Sequence, residues 1–140
     1  MEGKNYEIFE HTADVGVIVK GKSLEEIFEN AAYAMFDLMI FADKVDPVGK
    51  YRVSINSPTV EDLLVDWLSE LLYVFSTELF VMSKFDVHIK KKDEYTLEGI
   101  CWGEPYSREK HGIKTEIKAV TYHLLKLDSE KGYARILFDI

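Results

Sequence analysis

Thr59-Val60-Glu61-Asp62-Leu63-Leu64-Val65-Asp66-Trp67-Leu68-Ser69-Glu70-Leu71-Leu72-Tyr73-Val74-Phe75 is the stretch whose reading decides the fold. A threonine ahead of two acidic residues is an N-cap signature. Its hydroxyl accepts an amide proton of the first turn, and Glu61 and Asp62 sit at the positive end of the helix dipole. Leu63, Leu64, Trp67, Leu68, Leu71, Leu72 and Phe75 then recur at three- and four-residue spacing, a stripe broad enough for the main core helix. Glu61, Asp62, Asp66, Ser69 and Glu70 make the other side acidic, without interspersed bases. That side reads as a solvated face, with docking of a basic partner as the functional alternative.

Upstream of this helix, Tyr51, Val53 and Ile55 alternate with Arg52, Ser54 and Asn56, the pattern of a half-buried strand that ends at Ser57-Pro58. Ala42 to Gly49 has the turn chemistry of Asp, Pro and Gly. Asp43 and Asp46 are acidic site candidates there, against a default of solvated loop carboxylates. Ser23-Leu24-Glu25-Glu26 is a capping box, with the Glu26 carboxylate expected to reach back to the serine amide. It opens a helix whose Leu24, Ile27, Phe28, Ala31, Met35, Leu38 and Met39 form an apolar face predicted to lie on a sheet. Residues 6 to 20 read as two strands around Glu10-His11-Thr12-Ala13-Asp14-Val15-Gly16, where Gly16 is expected to supply the backbone freedom of a tight turn.

Downstream, Phe85, Val87 and Ile89 alternate with Asp86, His88 and Lys90. A polar turn at 91–94 leads into a second alternating run from Tyr95 to Trp102, which completes a hairpin. Lys90 to Lys92 is too short a run for a nucleic-acid patch and reads as a solvated strand end. Gly103 to Gly112 is the most polar stretch and reads as a loop. Thr115 to His123 is mixed, and a strand entering a short helical turn is expected. Leu125 to Leu127 and Tyr133 to Ile140 flank Asp128-Ser129-Glu130-Lys131-Gly132 as a hairpin that closes the chain inside the sheet. The order predicts one α+β domain over residues 1–140, with a mostly antiparallel sheet packed in a two-layer arrangement with two main helices and a short third.

With 140 residues, 47% of them hydrophobic, the chain can bury a core without staples. Its one cysteine, Cys101, cannot form an internal disulfide or a thiolate zinc site and reads as a buried thiol. The N-terminus has no apolar signal core, and no run approaches the ~18 residues of a membrane span. A soluble cytoplasmic protein without membrane contact is expected. The formal charge of −8, from 25 acidic and 17 basic side chains, argues against broad phosphate-driven nucleic-acid binding and suits a basic partner or a cation.

The chemistry-bearing residues gather at the two ends of the chain. Asp14 lies in the first turn region, where an Asp near Gly is most often a turn former. The chain closes on Phe138-Asp139-Ile140, so a side-chain carboxylate and the terminal carboxylate are one residue apart. If the last strand pairs near the first, three carboxylates meet, a donor set for calcium or, failing that, magnesium. His11, His88, His111 and His123 show no zinc spacing. A phosphate-binding Gly-rich loop, a nucleophile elbow and an HExxH motif are all missing from the sequence. Grouping Thr12, His11 and Asp14 as a hydrolytic set fails if they alternate along one strand. An autonomous enzyme is therefore not expected; a small metal-dependent hydrolase would have to turn over a phosphoester unaided.

Five stretches together resemble the archease family, and they run from end to end: HTADVG at 11–16, LLVDWLSELLY at 63–73, Gly103-Glu104 with His111-Gly112, EIKAVTYH at 116–123 and the final Asp139-Ile140. The resemblance implies an accessory protein of the RtcB-type tRNA-splicing RNA ligase, one that promotes ligase guanylylation and multiple turnover and broadens its nucleotide-triphosphate specificity. It implies a metal site at Asp14, Asp139 and the terminal carboxylate of Ile140, with calcium the expected ion and magnesium the alternative. It also implies a functional Lys118 that reaches the ligase or its nucleotide, and it marks His11, Glu104 and His123 as partner-facing candidates. A role as chaperone or specificity modulator of a tRNA methyltransferase is the alternative implied for the same family.

Overall fold

The computed structural model describes residues 5–11 and 13–140. Met1 to Lys4, Thr12 and the His11 side chain lie outside the described residues, and with them any signal segment and the Thr12 hydroxyl. The chain runs β1 (Tyr6–His11), β2 (Asp14–Lys20), α1 (Leu24–Met39), a 3-10 turn (Ala42–Lys44), β3 (Gly49–Ser57), α2 (Val60–Glu78), β4 (Phe80–Lys91), β5 (Tyr95–Pro105), α3 (Arg108–His111), β6 (Ala119–Asp128) and β7 (Tyr133–Asp139). The strands form two antiparallel sheets, ordered β1-β2-β7-β6 and β3-β5-β4. The fold is thus α+β in a single domain, with two main helices and a short third.

Both helices start as their sequences dictate. Thr59 Oγ1 accepts from the Asp62 N–H (3.1 Å), and Ser23 Oγ from the Glu26 N–H (3.1 Å). The second half of the α1 capping box shifts by one residue, since the Glu26 carboxylate takes the N–H of Lys22 (2.9 Å) and not that of Ser23. From Ala31 to Met39 almost every residue of α1 is buried, alanines and Asp37 included. The cause is that α1 touches β4 of one sheet and β2 of the other, while α2 touches β3 and β6. Small alanines allow that double approach. The Trp67 indole N–H donates to Phe28 O (3.0 Å), tying α2 to α1 at the centre of the core. Gly99 lies under this ring, where a Cβ would stand 2.8 Å from Trp67 Cζ3.

Three local expectations are corrected. Gly16 does not make the first turn: Ala13, with φ of 61°, takes the left-handed position, and Gly16 lies within β2, opposite Phe9. Its need is steric, because a Cβ there would sit 2.2 Å from Phe9 Cζ. The short helix falls at Arg108–His111, inside the stretch expected to be loop, while 119–128 is strand throughout. Irregular pairing of β6 with β7 between Thr121 and Lys126 explains the mixed pattern there. The hairpin also begins earlier than its alternation suggests, at Phe80, because a bulge between Met82 and Lys84 breaks the period. β4 forms a sheet edge, and its Val87 N–H donates to Glu29 Oε2 on α1 (2.9 Å). Among the described residues no helix is long and apolar enough to cross a membrane.

Candidate functional site

The first sheet carries one row that crosses all four strands at its end. His11 of β1 faces Asp14 of β2, Asp14 faces Asp139 of β7, and Asp139 faces Ala119 of β6. Residues directly opposite in an antiparallel pair direct their side chains to the same face, with Cα atoms about 5 Å apart. The Asp14 and Asp139 carboxylates are therefore neighbours, both half-buried, and Ile140 follows at once. His11 and Asp14 stand on different strands, so alternation along a single strand does not separate them as the sequence argument assumed.

Lys118 enters this row through its backbone, whose N–H donates to Asp139 O (2.7 Å). It lines a cavity of about 640 Å³ together with Met39, Leu72, Phe75 and Ile117, on the helix side of the sheet end. Strand alternation turns the two carboxylates to the other side, since Val15 and Phe138, next to them in sequence, are core. The structure thus brings Asp14, Asp139 and the Lys118 backbone together, with the exposed Lys118 also lining the adjoining cavity.

Glu104 and His123 are placed apart from that row. His123 is exposed on β6 within the irregular stretch before Leu124, which has φ of 55°. Glu104 ends β5 in the other sheet and closes a clamp around α3. Its Oε2 accepts from the Asp46 N–H (3.0 Å), from His111 Nε2 (2.8 Å) and from Lys110 Nζ (2.8 Å). The His111 Nδ1 accepts from the Ser107 N–H (2.9 Å), so the ring proton is on Nε2 and points at Glu104. The Lys110 ammonium, the Asp46 amide and His111 together hold the Glu104 carboxyl down at about 2. Asp46, a loop candidate in the sequence, belongs to this clamp through Lys110 (2.7 Å), whereas Asp43 stays exposed. The Cys101 thiol is buried and pushed up to about 12, an inert core group as expected.

Sequence reasoning passed over Asp37. This buried carboxylate accepts from the Tyr6 hydroxyl and from the Ala42 N–H (3.2 Å), and Lys114 Nζ reaches the Asp37 carbonyl (2.5 Å). The amides of Lys114 and Thr115 also bond to Met39 O and Leu38 O. The segment leading into Lys118 is thereby fastened to the end of α1. The signal was available: Asp37 is the one polar residue in Ala31-Ala32-Tyr33-Ala34-Met35-Phe36-Asp37-Leu38-Met39 besides a tyrosine.

The profile of the Archease protein family (MTH1598/TM1083) matches residues 6–140. The chain belongs to the archease family. It is 45% identical over 143 residues to the protein archease of Methanosarcina mazei, covering 99% of this chain and 98% of that one. It is 42% identical over 140 residues to the protein archease of Methanothermobacter thermautotrophicus, with 98% and 99% covered. The solution structure of Methanobacterium thermoautotrophicum protein 1598 superposes with a TM-score of 0.85 at 41% identity, over 99% of this chain and 100% of that one. An archease crystal structure from Thermotoga maritima, described as a possible chaperone, gives 0.61 at 24% identity over 96% of each, a likeness of fold. The archease match spans both the carboxylate row and the Glu104 clamp.

As a cation site the row supplies hard oxygen donors of the type calcium and magnesium take. Two side-chain carboxylates face each other across paired strands, an arrangement of like charges that a cation relieves. Among the described residues no group of three or more His, Cys, Asp or Glu side chains is set to hold a metal. The carboxylate of Ile140 is a further oxygen donor, next in the chain to Asp139. The donor chemistry fits a hard cation and does not fit zinc.

Proposed function

We propose that this chain is an accessory protein of an RtcB-type RNA ligase, acting by protein contact through the end of the first sheet and having no turnover of its own. Asp14, Asp139 and the carboxylate of Ile140 hold a calcium ion in this reading, or magnesium in its place. A bound cation supplies positive charge that orients anionic groups. Lys118 contributes a second positive charge at the rim, and its backbone bond to Asp139 keeps the two parts of the site in one register. The activator promotes ligase guanylylation and multiple turnover and widens the choice of nucleotide triphosphate.

The observation that carries this reading is the pairing of Asp14 with Asp139, which joins the first and last motifs of the archease pattern in one place, with Lys118 of the EIKAVTYH motif bonded to the same residue. Multiple-turnover ligation by a purified RtcB-type ligase, with and without this protein, tests it. Stimulation beyond one round supports the reading, and an unchanged yield with a matched ligase removes it. The description of the Thermotoga relative as a possible chaperone favours a second reading, in which the chain prevents aggregation of a tRNA methyltransferase and sharpens its specificity. Light scattering of such an enzyme, heated with and without this protein, separates the two.

A further inference from the structure

The chain is acidic overall, but its charge is not evenly spread. In the β3-β5-β4 sheet, Tyr51, Val53 and Ile55 pair inward with Cys101, Gly99 and Leu97, so the alternate residues face away from the helices. On the outer face β3 presents Lys50 and Arg52, and β4 with its turn presents Lys84, Lys90 and Lys92. Asp86 and Glu98 are the two carboxylates on the strands of this face, and the turn that carries Lys92 also carries Asp93 and Glu94. The strands of this face carry four cations and two anions, a positive balance on a protein whose formal charge is −8. Two of the three lysines that read as a strand end in the sequence are part of it.

Between the two basic strands runs β5, with Trp102, Ile100, Glu98 and Thr96 on the same face. Neighbouring strands lie about 4.8 Å apart, so the basic rows flank this strip at about 10 Å from one another. Lys84 Nζ stands 4.9 Å from the Trp102 ring centre, so a base that stacks on that face takes the place of the ammonium and leaves it to a phosphate. Further along β5, four to six residues from Trp102 and so about 13–20 Å away, is a depression of about 340 Å³ lined by Asn56, His88, Thr96 and Glu98, with Lys90 and Lys92 at its edge. Amide, imidazole, hydroxyl and carboxylate groups are what reads base edges and 2′-hydroxyls, and lysines are what holds phosphates.

We propose that the outer face of the β3-β5-β4 sheet binds single-stranded RNA, with the basic strands along the phosphates, Trp102 stacking one base, and the Asn56–Glu98 depression receiving another further along the strand. Single strands fit because exposed bases can lie on an aromatic strip between cationic rows. An acidic protein surface fits less well, because Glu98 and Asp86 would face its carboxylates, whereas they accept hydrogen bonds from 2′-hydroxyls and base amino groups. This face belongs to the other sheet from the carboxylate row, so the proposal stands or falls independently of the ligase reading.

The test is fluorescence anisotropy of a labelled single-stranded RNA of about twelve nucleotides, a length within the span of one binding module. If all five cations engage, affinity falls by about 100-fold between 50 and 200 mM salt, from a log–log slope of about −3.5. The double variant Lys50→Gln/Arg52→Gln should shrink that slope by about 1.4, as should Lys90→Gln/Lys92→Gln. The same charge change on the first sheet, Lys20→Gln/Lys22→Gln, should leave it unaltered. Trp102→Ala should weaken binding about tenfold at every salt concentration, the loss of one stacked base. No binding at 50 mM salt, equal slopes for all double variants, or equal binding of polyglutamate and of DNA of the same sequence would each overturn the proposal.

Discussion

Replacing Glu104 by glutamine tests how the β5–α3 clamp is held. One carboxylate oxygen takes three donors there, and His111, fully buried, has its other nitrogen occupied by the Ser107 amide. A glutamine can set its one carbonyl oxygen where Oε2 stands, so the three donors keep an acceptor and the negative charge is what is lost. The ordinary carboxyl value of 4.5 and the value of about 2 here differ by an amount worth at most about 3 kcal/mol. The Lys110 side chain is 41% exposed and screened by water, which reduces this to about 2 kcal/mol. Because the folded value is depressed, the stability is present in full above pH 4.5 and is lost as pH falls toward 2. Urea unfolding at pH 7 should show Glu104→Gln about 2 kcal/mol less stable, with a midpoint temperature about 6–8 °C lower. Only as the pH nears 2 should the two proteins converge. A gap that keeps its size from pH 7 to pH 2.5, or no gap at pH 7, would refute the assignment of the charge to the clamp.

Three further outcomes follow from the same geometry. Gly99→Ala places a Cβ 2.8 Å from the rigid Trp67 ring and should cost about 1–3 kcal/mol in urea unfolding, with a change in the near-ultraviolet circular dichroism of tryptophan. Thr59→Ala removes the acceptor of the Asp62 N–H and should cost about 1 kcal/mol, read as a shifted urea midpoint with an unchanged slope. If Asp14 and Asp139 hold calcium, the ion at a hundredfold excess over its Kd should stabilise the protein by about 2.7 kcal/mol, an increment that Asp139→Asn abolishes in a thermal scan.

The parts of this fold that follow local rules could be read from the sequence, and the parts that depend on pairing could not. The α2 stripe and the Thr59 cap appear as expected because helix periodicity and capping act within a few residues. The convergence of Asp14 and Asp139 was legible as two chain ends, but their being direct partners is a fact of register between β2 and β7, which no local pattern states. Gly16 reads as a turn residue because it closes the polar run His11 to Asp14 between two apolar stretches; the Phe9 ring that requires it comes from the neighbouring strand. α1 looked one-sided in its apolar pattern, and its alanines gain their meaning only from a second sheet. The positive outer face was invisible for the same reason, since its cations are alternate residues of strands that are not contiguous in sequence.

The central claim is that the Asp14–Asp139 row is a functional site and not scaffold. The most direct measurement is multiple-turnover ligation with an RtcB-type ligase, comparing wild type, Asp14→Asn and Glu104→Gln at a temperature where circular dichroism shows all three folded. Asp14→Asn should lose stimulation at nearly unchanged stability, while Glu104→Gln should lose stability and keep stimulation. Full stimulation by Asp14→Asn, or loss of stimulation confined to Glu104→Gln, would contradict the claim.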